Sequence, residues 1–266
     1  MGTIAVQDRW VETPGGRLFA RSWEVARADS GPIILFHDSL GCVELWRSFP
    51  AVLAERTSRR VIAYDRLGFG RSDARRDRLR VNFIREEAET FFPALRAQLG
   101  FDHFVAFGHS VGGAMAIHCA ALSPDACEAL ITESAQSFVE DRTGAGILEA
   151  KALFQDPDQF ARLERYHGEK ARWVLDAWTE TWLSPEFANW SLVDILPKVQ
   201  CPTLAIHGSE DEFGSRQHPE KIAQLVSAHA EVEILEGAGH VPHREREEWI
   251  AERVATFLTN ARGATY

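Results

Sequence analysis

Short runs of consecutive apolar residues alternate along the chain with longer segments whose apolar residues recur every three or four positions. The runs are typical of strands buried on both faces of a parallel sheet, and they lie at residues 32–36, 60–64, 103–107, 128–132, 203–207 and 231–235. The segments with helical spacing lie at residues 43–57, 80–100, 111–122, 221–228 and 246–258. This alternation predicts an α/β fold with a mostly parallel sheet.

The start of the chain has a different pattern. Residues 3–24 alternate between apolar and polar positions on either side of Pro14-Gly15-Gly16, which predicts an antiparallel hairpin at one edge of the sheet. In the helix predicted at 80–100, Pro93 lacks the amide hydrogen that a helix interior needs. We therefore expect a kink or a break before Pro93 and an end at Gly100.

Residues 135–197 show no strand alternation and are helical in periodicity. This segment contains half of the eight tryptophans of the chain, namely Trp173, Trp178, Trp182 and Trp190. Trp178 and Trp182 are four residues apart and share one helix face. An aromatic stripe of this kind is more often the core of its own segment than the wall of a ligand site, and both interpretations stay open.

Composition and charge narrow the class of protein. The 266 residues are enough for one large α/β domain with an insertion, and 45% hydrophobic and 26% charged residues are ordinary values for a globular protein. The formal net charge is -10, and no basic run is longer than Arg75-Arg76. A nucleic-acid or membrane partner is therefore unfavourable, and we expect a small-molecule substrate. The sequence carries no signal for the oligomeric state.

The N-terminus and the cysteines indicate a compartment. Residues 1–10 lack the basic and apolar regions of a signal peptide, and no stretch is long and apolar enough to span a membrane, so we expect a cytoplasmic protein. Cys42, Cys119, Cys127 and Cys201 are widely spaced and fit reduced thiols better than disulfides or a zinc site. Cys119 and Cys127 are expected to be packed in apolar surroundings, which leaves Cys42 as the cysteine of most interest.

A G-x-S-x-G motif runs from Gly108 to Gly112, between a predicted strand and a predicted helix. The glycines allow a tight turn there, because a Cβ at either position would collide with the neighbouring strand and helix. Such a turn pushes the Ser110 hydroxyl outward and directs the Val111 amide toward the same place, which suits a nucleophile beside an oxyanion donor. Alone, the motif is equally typical of a glycine-rich turn whose serine caps a helix.

Other polar segments follow predicted strands in a fixed order. They are His37-Asp38-Ser39, the run 65–72 (DRLGFGRS), His207-Gly208-Ser209-Glu210-Asp211, and His240 after the last predicted strand. With the serine motif they resemble the α/β-hydrolase family and its nucleophile elbow. The resemblance implies an eight-stranded, mostly parallel twisted sheet flanked by helices, with a core domain of residues 1–134 and 197–266 and a helical cap at 135–196.

The resemblance also implies a catalytic triad in the chain order Ser, acid, His. Ser110 would be the nucleophile, Asp211 the orienting acid and His240 the base. The backbone N–H groups of Ser39 and Val111 would form the oxyanion hole. A less favoured acid is Glu133 after an earlier strand, a position that some family members use.

Asp38 stands where the family carries a glycine. A carboxylate beside a developing negative charge is unfavourable unless it turns away or is paired. We favour an Asx turn, in which Asp38 bonds the local backbone, over a catalytic role. Residues expected to contact substrate are His37, Asp38, His109, Trp178 and Trp182.

His243, three residues after His240, invites a metal-site interpretation. No further ligand with the pattern of an open metal site lies near it in sequence, so we predict no metal. The triad chemistry itself requires no metal or organic cofactor.

The resemblance predicts a hydrolase of carboxylic esters with a small or medium apolar or aromatic acyl group, with lactones and thioesters as close variants. The family also contains hydrolases of carbon–carbon bonds in ring-fission diketones, which use the same triad; the lack of glycines at 37–39 makes this alternative less favoured. A ligand receptor that keeps the triad is a third possibility, which rapid multiple turnover would exclude. Because position 110 is serine, a mechanism through an aspartyl ester is excluded.

Overall fold

The fold is built on one eight-stranded sheet. The computed structural model describes residues 4–26 and 30–263. The strands are β1 (Ala5–Thr13), β2 (Gly16–Glu24), β3 (Ile33–Phe36), β4 (Val61–Tyr64), β5 (Phe104–His109), β6 (Cys127–Glu133), β7 (Thr203–Gly208) and β8 (Ala230–Leu235). Their order across the sheet is β1-β2-β4-β3-β5-β6-β7-β8.

The predicted sheet is confirmed. Strands β3 to β8 run parallel to one another, while β1 and β2 form an antiparallel hairpin at one edge, and β2 pairs antiparallel with β4. The hairpin turns between Thr13 and Gly16, as the sequence predicts. The prediction began this hairpin at residue 3, and residues 1–3 lie outside the described residues.

Two hydrophobic cores lie on opposite faces of the sheet. Successive residues of β3 show why, since Ile33 and Leu35 pack into one core while Ile34 and Phe36 pack into the other. The described helices are α1 (Phe49–Thr57), α2 (Phe83–Glu86), α3 (Phe92–Leu99), α4 (Val111–Leu122), α5 (Asp141–Leu153), α6 (Pro157–His167), α7 (Ala171–Trp182), α8 (Gln217–Leu225), α9 (Pro242–Glu245) and α10 (Glu247–Gly263). Helices α1 and α10 cover one face, and α2, α3, α4 and α8 cover the other.

Some predicted helices differ from those observed. The segment at 43–57 divides into a 3-10 turn and α1, because Arg47 between them adopts a φ of 54°. The predicted break before Pro93 takes the form of a π-helical turn over Glu87–Phe91, between α2 and α3. Since Pro93 cannot donate the usual helical bond, the wider turn accommodates the missing donor. Gly100 ends α3 with a φ of 69°.

Helices α5, α6 and α7 lie between β6 and β7 in the chain and belong to the segment predicted as a cap. Side chains from α5 and α7 line the same cavity as Ser110 and His240, so these two helices lie over that end of the sheet. The exact division of the chain at 134/135 and 196/197 stays a prediction. Across residues 4–26 and 30–263, no helix combines the length and apolar character that crossing a bilayer requires. The cytoplasmic location is also still a prediction.

Candidate active site

The turn between β5 and α4 holds Ser110 in a strained backbone conformation. Its φ is 55° and its ψ is -126°, a region that side-chain-bearing residues rarely adopt. The close approach of the backbone at this turn explains both glycines. A Cβ on Gly108 would lie 2.1 Å from the carbonyl oxygen of Gly112, and a Cβ on Gly112 would lie 2.1 Å from that of Phe36. The turn is therefore open only to glycine at these two positions.

Asp211 and His240 come together from the loops after β7 and β8. Nδ1 of His240 lies 2.9 Å from each carboxylate oxygen of Asp211. Because a carboxylate only accepts hydrogen bonds, Nδ1 carries the proton and donates it. In a neutral ring with this tautomer, the other nitrogen, Nε2, has a free lone pair, which is the form that a general base requires.

The Asp211 carboxylate is buried and held in place by backbone donors. Its Oδ1 accepts from the amides of Phe213, at 2.8 Å, and Gly214, at 3.2 Å. Burial by itself raises the pKa of Asp211, but the hydrogen bond and the charge of His240 outweigh it, so the net pKa lies below the ordinary value. Asp211 therefore stays ionised and orients the imidazole.

The Ser110 hydroxyl donates to Oε1 of Gln136, at 3.4 Å. In the described part of the chain it makes no hydrogen bond to His240. Longer catalytic hydrogen bonds are common in free enzymes and shorten when substrate binds. Gln136 follows the carboxyl end of β6 and was not predicted as a site residue. Its position shortly after Glu133 and Ser134, at the end of a predicted strand, is the sequence feature that could have identified it.

The peptide unit between Asp38 and Ser39 has a fixed direction. The Asp38 carbonyl accepts from Nδ1 of His37 and Nη2 of Arg66, each at 2.8 Å. The described chain has no cis peptide bond, and in a trans unit the N–H points opposite to the carbonyl. The Ser39 amide therefore points away from His37 and Arg66, and Ser39 lines the cavity that contains Ser110. Neither this amide nor that of Val111 has a hydrogen-bond acceptor among the described residues.

His37 is neutral, and its tautomer follows from its partners. Nε2 accepts from the backbone amide of Arg66, at 3.1 Å, so Nδ1 must carry the proton that is donated to the Asp38 carbonyl. Burial and the neighbouring Arg66 charge hold the pKa of His37 well below its ordinary value. His37 thus supports the loop and is not among the residues that line the cavity of Ser110.

The Asp38 side chain forms the predicted Asx turn. Its Oδ1 accepts from the Leu40 amide at 2.9 Å, and its Oδ2 lies 3.4 Å from Nδ1 of His109. Burial raises the pKa of Asp38, but the hydrogen bond and charge of His109 lower it well below the usual range. The carboxylate that replaces the family's glycine is therefore ionised and paired.

A cavity of about 230 Å³ lies in front of Ser110. Its lining is mostly apolar and comes from α5, α7 and the loops of the sheet: Asp38, Ser39, Leu40, Ser110, Gln136, Thr143, Ile147, Ala150, Phe154, Trp178, Trp182, Phe213 and His240. No lysine or arginine of the described residues is among them. Of the residues expected to contact substrate, Asp38, Trp178 and Trp182 line this cavity. His37 and His109 do not; both are buried behind it.

The two predicted tryptophans differ in their surroundings. Trp178 is half-buried and makes an edge contact with Phe213, whose ring also contacts His240 at 4.8 Å between centroids. Trp182 is 5% exposed and packs against Phe187 and Trp190. The stripe thus borders the cavity and belongs to the helical segment's own core.

Behind the site lies a buried cluster that the sequence did not predict. Donor atoms of His109, Glu133 and His243 lie within 4.8 Å of one another, although these residues are far apart in the chain. Glu133 bonds Nδ1 of His243 rather than His240, so it does not take the place of the triad acid. Neither His109 nor Glu133 lies near His243 in sequence, and the fold brings all three together. A cation there would have to displace the proton between His243 and Glu133.

Cys42 lies beside the same loop but is buried. Burial and the nearby Asp65 charge raise the pKa of its thiol to about 12. A thiol in this state is a poor nucleophile. Cys42, which the sequence singled out, is therefore not a candidate for a reactive cysteine.

Comparison with known proteins agrees with this architecture. A curated relative, the proline iminopeptidase of Lactobacillus helveticus, is 24% identical over 264 residues, covering 85% of this chain and 89% of that protein. Two solved structures show the same fold: 2-hydroxy-6-oxo-6-phenylhexa-2,4-dienoate hydrolase from Rhodococcus, with a TM-score of 0.82 at 16% identity, and the enol-lactonase from Burkholderia xenovorans, with a TM-score of 0.72 at 20% identity. They match 97% and 94% of this chain, and all of their own chains.

The model of the alpha/beta hydrolase family matches residues 33–253, a span that contains Ser110, Asp211 and His240. This match covers most of the chain and agrees with the strand order, the turn at Ser110 and the hydrolase names of the relatives. The chain therefore belongs to the alpha/beta hydrolase family and is a hydrolase.

Proposed function

We propose that this hydrolase cleaves a neutral carboxylic ester, or a lactone or thioester, with a small or medium apolar or aromatic acyl group. The observation that carries the proposal is the Asp211–His240 pair beside Ser110 at an apolar cavity without a lysine or arginine in its lining. In this assignment Ser110 is the nucleophile, His240 the general base and Asp211 the orienting acid.

The reaction has two halves. Nε2 of His240 takes the Ser110 proton as Oγ attacks the acyl carbon, and the amides of Ser39 and Val111 donate to the oxyanion. The imidazolium then returns the proton to the leaving alcohol, which leaves the acyl group on Ser110. In the second half His240 takes a proton from the water that attacks the acyl carbon, and the imidazolium then returns that proton to Oγ of Ser110 as the acyl–Oγ bond breaks and the acid is released.

The charge of the cavity supports a neutral substrate. The imino group that gives a proline iminopeptidase its name is cationic at neutral pH, and a dienoate carries a carboxylate. A buried charge of either sign needs a partner of opposite charge. Among the described lining residues Asp38 is the only acid, it is already paired with His109, and none is a lysine or arginine. The resemblance to the enol-lactonase, whose substrate class is a cyclic ester, agrees with this choice.

The test compares p-nitrophenyl esters of increasing acyl length with wild type and Ser110→Ala. We expect steady turnover by the wild type, and a loss of at least about 10⁴-fold in the variant without a change in thermal midpoint. The preferred chain length would report the depth of the cavity. Equal turnover by both proteins would contradict the assignment of Ser110. No turnover by either would favour a carbon–carbon hydrolase or a receptor, and the next assay would use ring-fission diketones.

The proposed preference for an uncharged acyl group is tested by comparing two p-nitrophenyl esters that differ in charge. The p-nitrophenyl monoester of succinate has a four-carbon acyl group like that of the butyrate ester, but it adds a carboxylate. We expect its kcat/KM to be lower by at least about tenfold, because the cavity offers no partner for that charge. Equal values for the two esters would contradict a neutral-substrate site.

A further inference from the structure

The protonation state of His109 follows from its two partners. Nε2 lies 2.8 Å from the backbone carbonyl of His240, and Nδ1 lies 3.4 Å from Oδ2 of Asp38. A carbonyl and a carboxylate can only accept, so a neutral ring could satisfy one contact only. Both contacts are satisfied together only when His109 is an imidazolium with Asp38 as its counter-ion.

The surroundings of the pair favour this charged state. His109 is 1% exposed, and a lone buried imidazolium would be costly. Burial does oppose the charge, but the hydrogen bond and charge of Asp38, with a smaller contribution from Glu133, raise the pKa of His109 above its ordinary value. The other titratable groups that face the pair are Glu133, His240 and His243 around His109, and His37, Cys42, Arg66, His167 and Arg244 around Asp38.

The pair connects three parts of the site. Asp38 belongs to the loop that carries the Ser39 amide, and its Oδ1 also fixes the turn at Leu40. His109 directly precedes Ser110, and its hydrogen bond holds the main chain of His240, which is 131 residues away. A single charged contact thus links the oxyanion loop, the nucleophile turn and the loop of the base.

We propose that Asp38 and His109 form a buried ion pair that positions His240 and the Ser39 loop relative to Ser110. This inference rests on the proposed function and goes beyond it, because neither residue is assigned a contact with the reacting atoms. It also explains why an aspartate replaces the glycine. The carboxylate is neutralised by the neighbouring imidazolium and is not a free charge beside the oxyanion.

The first experiment measures the protonation of His109 directly, without any substrate. In protein labelled with ¹⁵N-histidine, the two ring nitrogens of His109 should both have the shifts of protonated nitrogens at pH 7. The His109→Gln variant, which lacks these signals, assigns them. In Asp38→Asn the ring should change to the neutral form at the same pH, because the amide removes the counter-ion while Asn can still accept from Leu40.

The second experiment separates positioning from binding by kinetics on the preferred p-nitrophenyl ester. We expect Asp38→Asn to lower kcat by about tenfold with little change in KM, since misplacing catalytic groups affects turnover more than binding. His109→Leu should lose about 100-fold, whereas His109→Gln, which keeps one donor for the His240 carbonyl, should recover part of that loss. His118→Gln on α4 is the matched control, because Nδ1 of His118 has no partner among the described residues.

The two experiments distinguish failure of this inference from failure of the proposed function. A neutral His109 ring in the wild type at pH 7 would overturn the ion pair whether or not the protein hydrolyses esters. A wild-type kcat in both Asp38→Asn and His109→Leu would overturn the positioning role. If the wild type had no esterase activity, the proposed function would fail while the ¹⁵N measurement still tested the pair.

Discussion

A single peptide unit sets the direction of one proposed oxyanion donor. The Asp38 carbonyl is fixed by the neutral His37 ring and by the buried Arg66 guanidinium, so the Ser39 N–H on the other side of the same unit points away from both, and Ser39 lines the cavity. The side chain of Ser39 does not determine this direction. What matters at position 39 is the presence of an amide hydrogen.

Replacing Ser39 tests that point, because proline lacks the amide hydrogen and alanine keeps it. We expect Ser39→Pro to lower kcat by about 10²- to 10³-fold, the usual cost of one oxyanion donor, and Ser39→Ala to keep kcat within a few-fold of wild type. The measurement is steady-state hydrolysis of the preferred p-nitrophenyl ester, with circular dichroism to verify that both variants fold. Equal losses in the two variants would assign the effect to the hydroxyl and contradict the amide role.

At the scale of elements, two tryptophans on one face of helix α7 have different roles. Both tryptophans border the cavity, but Trp182 is packed against Phe187 and Trp190, whereas Trp178 lies beside Phe213. One turn of helix therefore separates a residue that stabilises the helical segment from one that we propose shapes the acyl pocket.

Replacing each tryptophan with alanine should distinguish the role in stability from the role in the acyl pocket. Trp182→Ala removes a buried aromatic side chain, so we expect a loss of roughly 3–5 kcal/mol in the free energy of unfolding. Trp178→Ala should cost less and should shift the preferred p-nitrophenyl ester to a longer acyl chain, because the cavity becomes larger. Trp173→Ala is the control, since Trp173 lies on the same helix and does not line this cavity. An unchanged chain-length preference in Trp178→Ala would contradict its place in the acyl pocket.

The sequence predicted the elements better than the contacts between them. Local signals located the strands, the turn at Ser110 and the break near Pro93, because each depends on residues close together in the chain. The cluster of His109, Glu133 and His243 depends on the pairing of β5 with β6 and on the loop after β8, so no local sequence pattern predicted it. Gln136 was not predicted for the same reason, because it lies 26 residues from Ser110 in the chain and contacts the Ser110 hydroxyl only in the folded structure.

At the scale of the whole molecule, the fold encloses charged groups whose burial opposes stability. Glu87, in the π-helical turn, is 4% exposed and accepts a hydrogen bond from the Tyr64 hydroxyl at 2.8 Å. Burial raises its pKa from 4.5 to about 7, although the nearby Arg66 charge acts in the opposite direction. The folded protein therefore holds a proton on Glu87 over a pH range in which the unfolded chain has lost it.

The sign of the effect on stability follows from linkage. Between pH 4.5 and about 7 the folded state binds more protons at Glu87 than the unfolded state, so this group lowers the free energy of unfolding as pH rises. Above pH 7 the carboxylate is charged in both states and its cost is constant, at roughly 3 kcal/mol relative to pH 4.5. Glutamine keeps the acceptor for Tyr64 and cannot ionise.

We therefore expect Glu87→Gln to gain stability over the wild type as pH increases, with the advantage roughly 3 kcal/mol larger at pH 8 than at pH 4.5. Urea unfolding of both proteins at the two pH values measures it, and contributions from all other titrating groups cancel in the difference. Glu89→Gln provides the matched control on the same turn, because Glu89 is exposed and should give a difference that hardly changes with pH. An advantage for Glu87→Gln that is equal at pH 4.5 and pH 8 would show that Glu87 is ionised in the folded state throughout, with Arg66 compensating its burial.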